Sequence, residues 1–220
     1  MHHPHLIGLT GPAGSGKDTV ADQLVERADF TKLAFAGPLR SEVAQAFGVD
    51  LSLLTNRDTK ERPTFALAVI RCGDKEFITR LIVLYTLRGE PLDLDAPRSP
   101  RWTMQRWGTD YRRDQSASYW ISKMRFGIER AWSERTAGRI VITDIRFADE
   151  AHLVRHTFGG QLWQIEREGV AIAPGSHISE TTGSAFRPDV VINNSHSVKH
   201  LAERTLEAYG AGVGPAPGGI

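Results

Sequence analysis

At 220 residues, with 40% hydrophobic and 24% charged residues, the chain has the material for one sizeable folded domain carrying small inserts. Its 27 basic residues against 26 acidic ones leave a formal charge of +1, so no bulk field argues for nucleic acid or a membrane surface as partner. A lone cysteine, Cys72, excludes an internal disulfide framework and suits a reducing cytoplasm, no signal peptide is expected, and no apolar run approaches the roughly 18 residues of a membrane helix.

Taken in chain order, the early His2, His3 and His5 are read as a frayed end rather than a metal cluster. Leu6 to Thr10, LIGLT, is an apolar run bounded by polar and glycine residues and is expected as a buried strand. Gly11, Pro12, Ala13, Gly14, Ser15, Gly16 and Lys17 follow, and from Asp18 onward Val20, Ala21, Leu24 and Val25 recur at helical spacing. Strand, glycine-rich turn and helix together form the context of a P-loop. Glycines let successive backbone N–H groups curl toward one point, the helix N-terminus adds partial positive charge, and Lys17 adds a full one. Gly11, four residues, Gly16 and Lys17 fit the motif. Its last position departs: Asp18 stands where Ser or Thr is usual, and Thr19 comes one step later.

Lys32 to Ala36, KLAFA, reads as a second strand ended by Gly37-Pro38, with Leu39, Val43, Ala46 and Phe47 marking a helix after it. From about 50 to 101 the pattern weakens into a partly helical insert, and the charge run Arg57 to Arg62 reads as a solvated face. Thr103 to Asp114, TMQRWGTDYRRD, is polar and basic with embedded aromatics. Ile121, Met124, Ile128, Ala131 and Trp132 then fall on one face of a long helix. Arg139 to Asp144, RIVITD, is a β-branched run ending in an acid, as expected of a central parallel strand with Asp144 at its carboxyl end. A helix bearing Leu153 and Val154 is stopped by Gly159-Gly160. Leu162 to Ile165 is the next strand, followed by a long polar loop read as a lid. Val190 to Asn193 is the last strand, and Val198, Leu201, Ala202, Thr205 and Leu206 make the last helix. Strands alternating with helices predict an α/β fold of the P-loop NTPase kind: three layers, a parallel sheet with helices on both faces, plus an acceptor-binding insert and a lid.

Four further segments carry a family likeness: Phe35-Ala36-Gly37-Pro38-Leu39-Arg40, Gln105-Arg106-Trp107-Gly108-Thr109-Asp110, Ile142-Thr143-Asp144-Ile145-Arg146-Phe147 and Asn193-Asn194. In this order, and with Gly16-Lys17-Asp18-Thr19, they resemble the phage-type deoxynucleoside monophosphate kinases over about residues 6 to 207. The resemblance implies a single kinase domain over 1–209, with a core at 5–36 and 104–209, an acceptor-binding insert at about 37–103, a lid at about 166–188 and a flexible tail at 210–220. It implies ATP-dependent phosphorylation of a deoxynucleoside monophosphate with Mg2+, in a cytoplasmic protein whose partners are small nucleotides; homodimerisation stays open. A phage or prophage origin is suggested by the likeness alone.

The same resemblance distributes roles. Gly11, Ala13, Gly14, Ser15, Gly16, Lys17, Asp18 and Thr19 would hold ATP; Lys17, Asp144, Arg146 and Arg167 would act at the transferring phosphoryl; Asp18 and Asp144 would serve the metal. Arg40, Thr109, Asp110 and Arg146 would bind the acceptor, the arginines through paired hydrogen bonds to phosphate. Each has a plainer alternative: a first-turn surface residue for Arg40, helix caps for Asp144, Thr109 and Asp110. Arg112 and Arg113 could be an exposed basic pair, and Arg187 joins Arg167 as a lid candidate. Trp102, Trp107 and Trp120 could stack on a base or fill a core. His177-Ile178-Ser179-Glu180 also resembles a motif of phosphomevalonate kinases, which keeps a non-nucleotide acceptor as an alternative. A regulatory or assembly ATPase without a small acceptor is a second one.

Overall fold

The computed structural model describes residues 5–56, 58–169 and 187–211. Arg57, most of the expected lid with His177, Ser179 and Glu180, and the end of the tail lie outside the described residues. In chain order, β1 (Leu6–Thr10) leads into α1 (Lys17–Ala28) and β2 (Phe30–Leu33). Then come α2 (Ala36–Phe47), α3 (Leu51–Thr55), two 3-10 turns at Phe65–Leu67 and Val69–Arg71, α4 (Lys75–Arg88) and α5 (Pro100–Gln105). The α5 helix runs on as a π-helical stretch, Arg106–Arg113. After α6 (Tyr119–Ser133) and β3 (Arg139–Ile142) comes α7 (Ala148–His152), which widens into a π turn, Leu153–Thr157. The strands β4 (Gln161–Glu166) and β5 (Val190–Asn193) and the helix α8 (Val198–Ala211) follow.

The chain divides into two compact units. One runs to Phe35 and resumes at Met124; the other is Ala36–Lys123. Residues 104–123, which the sequence reading grouped with the core, belong to the second unit.

The first unit is built on a five-stranded sheet in the order β2-β3-β1-β4-β5, with every pairing parallel. Parallel strands are covered on both faces, which is why β1 is buried at all five positions and β3 at its last three. Alternation then sends side chains to two cores. Ile7 and Leu9 pack with Val20, Ala21 and Leu24 of α1 and with Leu201 of α8. Gly8 faces the opposite way, where an added Cβ would meet Ile145, Leu162 and Val154 within 3.2 Å. A parallel sheet with helices on both faces and a glycine loop joining β1 to α1 is the P-loop α/β fold. Because β3 and β4 flank β1 on opposite sides, the crevice of such a sheet opens at the carboxyl end of β1, where the loop sits.

Two boundaries differ from the sequence reading. The second strand starts upstream, at Phe30, and stops at Leu33. Gly37-Pro38 lies in the first turn of α2 rather than ending a strand. Proline is accommodated there because the first helical N–H groups lack intrahelical partners anyway.

The second unit is held by an aromatic cluster around one acid. Phe77, Trp107 and Tyr111 are almost wholly buried, with ring centroids 4.8 to 5.6 Å apart. Glu42 accepts hydrogen bonds from Trp107 Nε1 at 3.0 Å, Arg112 Nε at 3.0 Å and the Tyr119 hydroxyl at 2.6 Å. The Arg112 guanidinium also lies over the rings of Trp107, Tyr111 and Tyr119. Trp120 donates to the Gly108 carbonyl at 3.0 Å. Trp107 and Trp120 are therefore core residues whose N–H groups are satisfied. Trp102 lies on α5, its ring beneath the guanidinium of Arg98 at 4.5 Å.

Burial pushes the Glu42 carboxyl up, but the bonds from Tyr119, Trp107 and Arg112 outweigh it and hold the group below its ordinary value of 4.5. A depressed folded-state pKa stabilises the fold above the unfolded value, and that stabilisation is lost as pH falls through the folded value. Glu42→Gln should therefore be less stable than the parent at neutral pH, by about 1–2 kcal/mol. The gap should narrow as pH drops below 4.5. Urea midpoints of both proteins between pH 3 and 7 check this; a pH-independent gap would speak against it.

Candidate functional site

The loop between β1 and α1 takes its shape from three glycines at positive φ: Gly11 at 132°, Gly14 at 80° and Gly16 at 107°. Two of them also have no room for a side chain. A Cβ on Gly11 would come within 2.3 Å of the Ile165 carbonyl oxygen, and one on Gly16 within 2.4 Å of Asn194 Nδ2. Gly16 caps α1 without a side-chain bond, so the helix presents its first N–H groups at the loop. Lys17 donates from Nζ to the carbonyls of Gly11 at 2.8 Å and Pro12 at 2.7 Å, folding its charge back over the loop. The Ser15 hydroxyl is buried with no hydrogen-bond partner among the described residues. Ala13 and Gly14 form the exposed tip. Together these features fit a phosphate chain: a cradle that a Cβ would fill, an orphaned hydroxyl and a cation folded over the loop.

Asp18 and Thr19 occupy the first turn of α1, and the Asp18 carboxylate lies 3.7 Å from Lys32 Nζ. Asp144 sits two residues beyond β3, the strand beside β1, and its Oδ1 accepts the Phe35 N–H at 2.8 Å. Arg146 is exposed, and its backbone N–H and that of Phe147 donate to Glu150 Oε2 at 2.8 and 3.1 Å. That buried glutamate fixes the turn which starts α7. Arg167 follows β4 directly, with its guanidinium 3.5 Å from the Gly14 carbonyl, at the limit of a hydrogen bond. The fold thus brings the loop residues Gly11 to Thr19, Asp144, Arg146 and Arg167 to the carboxyl edge of one sheet. Arg187 instead precedes β5, at the opposite edge, where its carbonyl accepts from Arg155 at 2.6 Å.

Arg40, Thr109 and Asp110 belong to the second unit. Arg40 lies on α2, with its Nε buried and without a hydrogen-bond partner among the described residues. Thr109 and Asp110 lie on the π-helical stretch, a geometry found often where function requires a helix to widen. The Asp110 carboxylate is paired with Arg106 one turn earlier. Arg112 is committed to Glu42 and to the aromatic rings around it.

Two features escaped the sequence reading. A cavity of about 420 Å³, lined by Glu168, Asn193, Ser195, His196, His200 and Arg204, opens where β5 ends and α8 begins. One residue on from Asn193, the buried Asn194 turns its amide to the loop and donates to the Ser15 carbonyl at 2.8 Å. The Asn193-Asn194 pair was visible as a motif, but nothing local in the sequence says that one amide faces a cavity and its neighbour the loop.

No family model matches the chain. It is 26% identical over 211 residues to a protein of Acanthamoeba polyphaga mimivirus described as "Putative deoxynucleotide monophosphate kinase", covering 91% of this chain and 94% of that one. Among solved structures it is similar to TT1252 from Thermus thermophilus, at 18% identity and a TM-score of 0.47, over 97% of this chain and 100% of the other. It is also similar to a gluconokinase from Sinorhizobium meliloti 1021, at 13% identity and a TM-score of 0.37, over 96% of this chain and 94% of that one.

Proposed function

We propose that the protein transfers the γ-phosphoryl group of ATP to a deoxynucleoside monophosphate, releasing ADP and the deoxynucleoside diphosphate. The observation that carries this reading is the loop at the end of β1, whose glycine cradle and Lys17 suit a phosphate chain. The near full-length likeness to the mimiviral protein, through its printed name, supports the acceptor.

In the transfer, an oxygen of the acceptor phosphate bonds to the γ-phosphorus as the bond from that phosphorus to the β,γ-bridging oxygen breaks. Little covalent chemistry falls to the protein, so its work is positioning and charge neutralisation. Loop N–H groups of Gly14, Ser15 and Gly16 hold the donor phosphates, and Thr19 contacts one from the first turn of α1. Lys17 leaves its two carbonyl partners to meet the outer phosphates, and Arg167 joins it from the end of β4. The cavity beside Asn193 is large enough for the donor's nucleoside end. When bound, Mg2+ supplies further neutralisation of the donor oxygens; Asp18 and Asp144 are the carboxylates that would hold it, directly or through water. Arg146, Arg40, Thr109 and Asp110 are proposed for the acceptor on their chemistry, the arginines as planar forks for its phosphate.

Arg146→Ala should then lower kcat/KM for the acceptor about tenfold to a hundredfold, the loss of one charged hydrogen-bonding fork, while leaving KM for ATP nearly unchanged. Steady-state kinetics with each substrate varied in turn checks this, and an effect confined to ATP would move Arg146 to the donor side. The reading itself is tested by separating the products of an ATP and Mg2+ reaction by ion-exchange chromatography. A deoxynucleoside diphosphate formed in step with ADP supports it. ADP appearing only with a non-nucleotide monophosphate such as phosphomevalonate would replace the acceptor, and ADP appearing with no acceptor would replace the reaction.

A further inference from the structure

The Asn194 side chain lies where β5 meets the phosphate-cradling loop. Its backbone N–H donates to the Glu166 carbonyl at 2.7 Å, extending the β4–β5 ladder one step past the register pair of Glu166 and Asn193. That bond anchors the residue to the sheet. Its side chain is buried, and Nδ2 donates to the Ser15 carbonyl at 2.8 Å across 179 residues of sequence. The same nitrogen is what a Cβ on Gly16 would strike at 2.4 Å, with Leu201 Cδ2 of α8 next at 3.2 Å. The Ser15–Gly16 peptide is therefore packed against Asn194 with no slack.

Peptide planarity gives this contact a consequence. The peptide between Ser15 and Gly16 is trans, so the Ser15 C=O and the Gly16 N–H point in opposite directions across one rigid plane. An amide that holds the carbonyl on one side holds the N–H on the other, facing away from Asn194. Gly16 has no Cβ and sits at φ 107°, so on its Gly16 side this plane has no side chain to steady it. Turning it over would send the carbonyl, rather than the N–H, toward a bound phosphate.

We infer that Asn194 is a positioning residue for phosphate binding: by fixing the Ser15 carbonyl it keeps the Gly16 N–H aimed at the phosphate chain. Asn194 acts through the loop alone and does so for any ligand with a di- or triphosphate. It rests on the phosphate-binding part of the proposed function and not on the identity of the acceptor. Asn194→Asp keeps the shape but sets a carboxylate oxygen against a carbonyl oxygen. Asn194→Ala removes the tether and adds no repulsion.

The test is calorimetric titration of wild type, Asn194→Asp and Asn194→Ala with ADP and with inorganic tripolyphosphate, beside thermal melts of each. The Kd for both ligands should rise at least tenfold in Asn194→Asp and by a smaller factor in Asn194→Ala. Where turnover is present, KM for ATP should rise in parallel while KM for the monophosphate stays within twofold. In 15N-labelled wild type the Gly16 amide resonance should move on adding tripolyphosphate, a readout that needs no variant to fold. Unchanged affinity in folded variants, or a Gly16 amide that does not respond to a ligand that binds, would overturn the role of Asn194 and leave the proposed reaction standing. Tripolyphosphate binding that depends on Asn194, in a protein that transfers phosphate to no monophosphate, would sustain Asn194 and overturn the reaction. Wild type that binds neither ligand would overturn both.

Discussion

Lys17→Ala is expected to cut phosphoryl transfer by about a hundredfold to a thousandfold, the range seen when a single preorganised donor to developing charge is removed. The lysine is the full positive charge carried by the loop itself, and it is held over the loop by the Gly11 and Pro12 carbonyls at 2.8 and 2.7 Å. Those two bonds are to partly exposed groups, so losing them should cost the fold less than about 1 kcal/mol. The combination of lost transfer and a retained melting temperature distinguishes a catalytic lysine from a structural one. Single-turnover rates with saturating ATP, set beside thermal melts, measure both. A variant that keeps more than a tenth of the wild-type rate would remove Lys17 from the reaction.

Gly11→Ala is expected to have the largest effect on stability of any loop substitution that adds one methyl group. Two costs coincide at this position. The residue sits at φ 132°, where L side chains are strained, and the new Cβ would lie 2.3 Å from the Ile165 carbonyl oxygen, a backbone atom that cannot swing aside. Strain and overpacking of this kind together amount to about 3 kcal/mol or more. For a chain of this length that corresponds to a fall in Tm of roughly 6–12 °C. Gly14 supplies the internal control, since it has positive φ but nothing within 4 Å of an added Cβ. Gly14→Ala should therefore cost only the backbone term, about 1–2 kcal/mol. Equal melting temperatures for the two variants would show that the loop moves away from β4, and that its packing on the Ile165 carbonyl is looser than the geometry indicates.

How far the fold could be read in advance depended on where its information sits. The first strand, Leu6–Thr10, and the last, Val190–Asn193, were read with their observed limits because both are short apolar runs between turn residues. The glycine loop was legible for the same local reason. Its spacing, Lys17 and the helical recurrence of Val20, Ala21 and Leu24 lie within one window. The second strand was misplaced because Phe30–Leu33 is an edge strand with a mixed burial pattern, and its sequence lacks the continuous apolar run that β3 has. Gly37-Pro38 looked like a stop and proved to be a helix start, since proline suits both places.

The second unit was the least legible part. Its organising contact joins Glu42 to Trp107, Arg112 and Tyr119, some 65 to 77 residues away, and no periodicity records such a partner. For that reason the sequence leaves Trp107 and Trp120 open between base-stacking and core, whereas the structure buries both rings with their N–H groups satisfied. Asn194 is the corresponding case in the first unit. A polar residue after a strand reads as a cap or a turn, and only the sheet order brings it to the Ser15 carbonyl.

The most direct measurement of the central claim is ADP release in a coupled assay with ATP, Mg2+ and each of dAMP, dCMP, dGMP, dTMP, AMP and GMP, run beside Lys17→Ala. Rapid release with one or two deoxynucleotides, absent from the variant, is the predicted result, and it would name the acceptor. Release no faster than the no-acceptor blank with every monophosphate, from protein shown by calorimetry to bind ATP, would contradict the account.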